Sequence, residues 1–301
     1  MEEALVTSPT KVRARVAAAA IFLAPIALPA HPASGAPAGN HCTFGFGSTC
    51  YWYAVTQQTF DGPGAQGAYA KVTQHSVWVE SDGDHSLAEI AIANKSISQA
   101  IEVGWVVWWR EYRDYQPHLF IKPTNGQQAD TQKCWHKDFG GLPRAEVEKQ
   151  CGWVQKSTRW KPNNTTLHTG DNPEQFGIVY NRTDGNWWVN YANEWIGYFK
   201  GSYWGGAFKS GYRTQWYGEA EDSFAGLSVK TPCSDMGNGK PGSNPGSARF
   251  ADMGVVNSQG QQEVARAGVL EVTDDRYYKI GGIRSRTGPF HSFTYGGPGG
   301  C

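Results

Sequence analysis

The 301-residue chain contains no Gly-x-Ser-x-Gly, no His-Glu-x-x-His and no phosphate-binding glycine loop ahead of a helix. The usual signatures of serine hydrolases, zincins and nucleotide enzymes are therefore missing. Cys-x-x-Cys is also absent, and His75, His85, His118, His136, His168 and His291 are scattered without ligand spacing. Nothing in the sequence marks a metal or another cofactor. Charge is sparse and balanced, with 27 basic and 27 acidic residues and no basic stripe, so nucleic acid is not an expected partner. Helical periodicity is scarce as well, and only Arg144 to Gln150, after Pro143, sustains it for about two turns.

A run long enough to span a membrane is another absence. The apolar stretch from Val16 to Ala30 is interrupted by Pro25 and Pro29, and at roughly 15 residues it is short of the about 20 that a spanning helix needs. Lys11, Arg13 and Arg15 precede it and small residues follow from Pro32 to Ala38, an order that predicts an export signal. Residues 1–40 are accordingly read as signal and low-complexity spacer, and the mature protein as extracellular, free of the membrane and monomeric. All six cysteines lie beyond residue 40, and an even count in an exported chain predicts disulfides. Cys42 with Cys50 and Cys134 with Cys151 would close short loops, which leaves Cys233 for Cys301.

What is abundant is β-type sequence. Alternating or continuous aromatic and β-branched runs occupy Ala68 to Val79, Leu87 to Ile92, Ile101 to Trp109, Phe176 to Tyr180, Trp187 to Tyr191, Trp195 to Phe199 and Val269 to Val272. Between them lie turn signals, of which Asp184-Gly185 is a good hairpin candidate because that dipeptide accepts positive φ. With 37 glycines and 13 tryptophans, the chain is expected to form an all-β antiparallel sandwich. Residues 41–66 show little alternation and are expected to be a disulfide-stapled arm, residues 67–301 the sandwich. Residues 232–248 are predicted to be a long exposed loop, either rimming a cleft or slack.

Two short motifs stand out, Ile101-Glu102-Val103-Gly104-Trp105 and Gln215-Trp216-Tyr217-Gly218-Glu219. Each sets a glutamate on an apolar β background, where a carboxylate is expensive without a partner or a task. Alternation puts Glu102 on the face opposite Ile101, Val103 and Trp105. Spacing alone does not choose among Glu219, Glu221 and Asp222. Trp105, Trp108, Trp187, Trp188 and Trp216 are candidate cleft walls, against the alternative of core packing.

At these residues the chain resembles the neprosin family of secreted glutamic peptidases. The resemblance runs in order through Gly67-Ala68-Tyr69-Ala70, Ser76-Val77-Trp78, Ile101 to Trp105, Pro117-His118-Leu119-Phe120, Gly185-Asn186-Trp187-Trp188, Ile196-Gly197-Tyr198, Trp216-Tyr217-Gly218-Glu219, Met236-Gly237-Asn238-Gly239 and Tyr295 to Gly299. It implies a sandwich with a cleft across one sheet, a peptide or protein substrate, cleavage after proline and a catalytic glutamate pair at Glu102 and Glu219. Trp105, Trp188, Gln215 and Trp216 are the corresponding candidates for substrate binding. The family often has glutamate where this chain has Gln215. Its plant members carry a substantial pro-segment, for which this chain has little room if residues 41–66 are only an arm. Where a cysteine partner for the C-terminus would be expected stands Tyr277-Tyr278, which supports pairing Cys301 with Cys233.

Two carboxyls sharing one site cannot both ionise cheaply, so one is expected to hold a proton while the other accepts one from water. Such a pair works best in acid, with a bell-shaped pH profile that belongs to the pair. Gln215 or Gln155 could bind the tetrahedral oxyanion. Paired glutamates in an aromatic cleft serve glycoside hydrolysis equally well, and a sandwich rich in tryptophan can bind carbohydrate or cell wall without catalysis.

Overall fold

The structure, a computed structural model, describes residues 49–126, 131–223, 231–284 and 291–301. The expected sandwich is what these residues form. Six strands make one antiparallel sheet: β1 (Thr49–Thr59), β3 (His85–Ala93), β4 (Ala100–Trp108), β5 (His118–Thr124), β10 (Arg213–Ser223) and β13 (Val269–Val272), in the order β13-β1-β10-β3-β4-β5. The second sheet contains β2 (Gly67–Gln74), β6 (Trp153–Gln155), β7 (Gly170–Asn181), β8 (Asn186–Tyr191), β9 (Glu194–Phe199), β11 (Ala248–Val256), β14 (Lys279–Arg284) and β15 (Ser292–Gly296), with β12 (Gln262–Val264) paired to β11.

Alternation assigns the faces. On β4, Ile101, Val103, Trp105 and Val107 point inward to the core, as do Ala88, Ile90 and Ile92 on β3 and Trp216 and Ala220 on β10. Indole N–H groups tie the sheets together across that core. Trp105 donates to the Thr73 carbonyl at 2.9 Å and Trp216 to the Tyr69 carbonyl at 3.2 Å, both acceptors lying on β2 of the opposite sheet. An indole N–H left unpaired at either site would cost about 1–3 kcal/mol. Each tryptophan thus fixes its strand from the inside, which holds the intervening glutamate on the outside.

The helical segment at Arg144–Cys151 is present, and Gly185 takes a φ of 73° in the turn joining β7 to β8, as the Asp-Gly pair requires. Cys134 is bonded to Cys151 and Cys233 to Cys301, with Cα separations of 5.5 and 5.0 Å. Cys50 is disulfide-bonded, while its expected partner Cys42 lies outside the described residues, as does the expected export signal. Among the described residues no helix is long and apolar enough to cross a membrane.

The expected arm requires correction, because residues 49–59 form β1, paired with β10 along its whole length. Trp52 and Ala54 alternate with Tyr53 and Val55 between the inward and outward faces, a pattern hidden among tyrosines that read equally well as polar or apolar. The segment 231–247 is a loop of turns, but it is not the exposed loop expected, because Cys233, Ser234, Met236 and Ser247 are buried. Asp222 receives the Cys233 and Ser234 N–H groups at 3.0 and 3.1 Å, and Met236 bridges to Gly297.

Trp105 is fully buried, whereas Trp188 is half-buried on an outer face. Replacing Trp105 with alanine is expected to lower unfolding stability by about 3–5 kcal/mol in chemical denaturation, and the same change at Trp188 by less than about 1 kcal/mol. Equal losses at the two positions would contradict this assignment of faces.

Candidate active site

The outward face of the six-stranded sheet carries the acids. Strand register sets Lys122, Glu102, Ala91, Gln215 and Gln57 in one lateral row. Phe120, Gly104, Glu89, Tyr217 and Val55 make the next, and His118, Val106, Leu87, Glu219 and Tyr53 the third. Beyond it, Trp108 pairs with His85 and Glu221 with Tyr51. Glu102, Glu89 and Glu219 therefore lie on one diagonal, each a strand and a row from the next. Diagonal neighbours in a sheet stand about 7–8 Å apart at Cα, so Glu102 and Glu219 are the ends of a file of three rather than an adjoining pair.

Two of the three have a cationic partner. Lys122 Nζ lies 2.9 Å from Glu102 Oε2. His85 is held between two carboxylates, with Nε2 2.8 Å from Glu219 Oε1 and Nδ1 against Glu221. Tyr53 stands directly opposite Glu219 on the strand on its other side. Glu89, only 2% exposed, accepts the Tyr217 hydroxyl at Oε1 and has no hydrogen-bond partner at Oε2.

Burial and charge displace several protonation equilibria here. Burial alone would push the His85 imidazole down, but Glu221 and Glu219 together outweigh it and hold the group up to about 10. Glu89 is pushed well above the ordinary carboxylate range, first by burial and then by the charge of Glu102, with Lys122 pulling the other way. Lys122 is disfavoured by burial yet held above its usual value by Glu102 and Glu89.

Gly104 has a steric reason. A methyl group there would stand 2.0 Å from the Ala88 carbonyl oxygen and 2.8 Å from Glu89 Cβ. Only glycine lets β4 lie this close to β3 beside Glu89. At Gly218, on the inner face, a methyl would meet the Tyr295 ring at 2.3 Å.

The structure brings some of the expected residues together and separates others. Glu102, Glu219 and Gln215 share the acidic face, and Gln215 Nε2 lies 3.4 Å from Gln57 Oε1. At the second motif alternation turns Asp222 inward, where it anchors the loop, and leaves both glutamates on the acidic face, Glu221 flanking His85 near its end and Glu219 on the diagonal. The tryptophan expectations need correction. Trp105, Trp216 and Trp187 are inside the core with no exposure above 0%, because their inward register is satisfied by carbonyls of the facing structure. Trp188 belongs to the second sheet, where it donates to Asp184. Of the five, only Trp108 faces the acids, stacked on Trp135 with centroids 4.7 Å apart and 7° between planes. Gln155 is also on the second sheet, its amide occupied by the Ser157 and Trp160 carbonyls at 2.8 Å, so it is no oxyanion donor. Sequence inspection missed Glu89, His85, Lys122, Tyr53 and Tyr217. Their signal was positional, since each sits at an outward register of a strand already recognised or adjoining one.

An open cavity of about 730 Å³ lies on the second sheet, lined by Tyr180, Asp184, Asn186, Tyr198, Lys200 and Lys209 among others. With one carboxylate among its side chains it offers no acid pair. Glu80, Asp84 and Asp222 place carboxylate oxygens within 4.8 Å of one another, apart from the diagonal.

Residues 82–298 match the neprosin family, and the chain belongs to that family. Family membership supports a glutamic-type peptidase. Three solved structures are similar to the chain at 11% identity: a complex of SCP-B, a member of the eqolisin family of peptidases, with the tripeptide Ala-Ile-His, and two complexes of scytalido-glutamic peptidase, one with a peptide-based transition state analog and one with a transition state analog inhibitor. Their TM-scores are 0.44, 0.42 and 0.42, and they cover 83%, 82% and 82% of this chain and 100% of their own.

The His85 contacts predict a pH dependence of stability. An unfolded imidazole titrates at about 6.5, and in the folded protein the group is held up to about 10. Its contribution is thus fully present below about pH 6.5 and is lost as pH rises through about 10. The stability difference between wild type and His85→Gln should narrow over that window, and the His85 ring should remain protonated by NMR at pH 8. A ring titrating near 6.5 would contradict the bridged geometry.

Proposed function

We propose that the protein is a secreted, acid-acting glutamic endopeptidase that hydrolyses peptide bonds after proline, with Glu102 and Glu219 as the groups that act on water and the scissile amide. The observation that carries this is the common face: two motif glutamates, over a hundred positions apart in the chain, emerge on one side of one sheet, separated by a single strand. The family membership supplies the reaction class. Secretion accords with the disulfides, and a monomer acting on peptide or protein substrates, without cofactor, is the simplest working form.

The chemistry follows from the charges. Peptide hydrolysis needs a base for the attacking water and a proton for the departing nitrogen. Glu219 is held by His85, with Tyr53 opposite it on the neighbouring strand. Glu102 is fixed by Lys122. A carboxylate held in this way can take the proton from water as its oxygen attacks the carbonyl, without an acyl-enzyme. Gln215, in the same lateral row as Glu102, is the amide placed to meet substrate on this face. Because β1 contributes Tyr53, the functional unit begins before residue 67.

Separate replacement of Glu102 and Glu219 by glutamine is expected to lower kcat/KM for a proline-rich peptide at acid pH by about 10²–10⁴-fold, with the thermal melt retained. Undiminished proteolysis in both variants would refute the assignment, and sugar hydrolysis lost in its place would favour a glycosidase.

A further inference from the structure

Glu89 belongs to neither motif, yet it is the most enclosed carboxyl of the acidic face. Glu102 lies diagonally from it on β4 with Lys122 beyond on β5, Tyr217 lies directly opposite and Glu219 diagonally on β10, Tyr53 lies beyond them on β1, and His85 is on its own strand. Lys122 closes on Glu102, and His85 closes on Glu219 and Glu221. The file thus has a cation at each end and none in contact with its middle. Tyr217 gives Glu89 Oε1 a neutral hydroxyl, and Oε2, buried, makes no hydrogen bond within the described residues. A buried carboxylate with one neutral donor and no cation in contact is an expensive arrangement, whereas a carboxylic acid is a cheaper one.

We propose that Glu89 holds the single proton of this carboxyl cluster, and that it lends the proton to Glu102 or Glu219 during peptide hydrolysis. The inference rests on the peptidase reading of the same face and extends it to a third residue. Glu89 is a positioning residue in this scheme, since it acts on the peptide only through Glu102 and Glu219. Its place on the diagonal makes it the common neighbour of two carboxyls that do not adjoin each other. As the water oxygen bonds to the carbonyl carbon, one end of the file takes the proton released by water. When the C–N bond breaks, the nitrogen receives a proton from the other end, supplied through Glu89. The proton taken from water replaces the one delivered, so the cluster finishes the cycle as it began. Burial, the charge of Glu102 and the weaker opposing pull of Lys122 leave Glu89 well above the ordinary carboxylate range, in keeping with this role.

The test is the pH profile of kcat/KM for a proline-rich peptide. In Glu89→Gln the two flanking carboxylates must hold the proton themselves against Lys122 and His85, so the alkaline limb should move at least about one unit toward acid. Glu89→Asp, which keeps a titrating carboxyl, should restore much of the wild-type limb. A limb that does not move in Glu89→Gln, or a loss equal at every pH, indicates a purely structural role and overturns the proposal. Should Glu89→Gln fail to fold, infrared spectroscopy of the wild type decides. A protonated-carboxyl band should persist at pH 7 and shift in frequency in Tyr217→Phe, and absence of the band or indifference to that change overturns the proposal. Proteolysis surviving in Glu102→Gln and Glu219→Gln would defeat the peptidase reading itself. Its loss there, beside an unmoved limb in Glu89→Gln, would defeat only the proton-holding role.

Discussion

Four buried carboxyls on one sheet face, Glu89, Glu102, Glu219 and Glu221, are met by two cations, Lys122 and His85. That imbalance governs the rest of the site. Like charges this close in a poorly solvated setting cannot all ionise, so the number of protons on the face is part of its structure. It also makes the residues interdependent. Removing Lys122 or His85 changes the charge state of the whole file, and single substitutions here will not add.

The sandwich supplies the rigidity that such a cluster needs. β4 and β10 each carry a tryptophan on the inner face that reaches across to β2, and a glutamate on the outer face. The outward glutamate and the side chain that fixes the strand belong to the same five-residue motif. Gly104 adds the close approach of β3 to β4 that sets Glu89 beside Glu102. Placement on regular strands positions functional groups more narrowly than loops do.

The fold was largely legible because strand alternation is a local property: the runs around Glu102, Trp187 and Val269 became strands near where their pattern placed them. β1 escaped because Tyr51, Tyr53 and Gln57 gave no clear apolar face. Glu102 and Glu219 drew notice through their motifs, with Glu219 chosen over its acidic neighbours by the family resemblance, and the Cys134–Cys151 and Cys233–Cys301 pairs were legible through counting. The tryptophans were misplaced for a physical reason. An indole beside a glutamate in sequence lies on the opposite side of the sheet, so adjacency in the chain excludes adjacency in the cleft. Glu89, Lys122 and His85 were not legible, because each is an ordinary residue until strand order β10-β3-β4-β5 sets it next to a motif glutamate. Register across strands is a non-local fact, and spacing along one chain does not encode it visibly.

The most direct test of the central claim is to locate a bound substrate analogue. A crystal structure with a proline-containing peptide whose scissile amide is replaced by a hydroxyl-bearing, uncleavable group should place that hydroxyl within hydrogen-bonding reach of the Glu102 or Glu219 carboxyl. A peptide seated instead in the cavity of the second sheet, beside Tyr180 and Tyr198 and away from every carboxyl of the diagonal, would contradict the account.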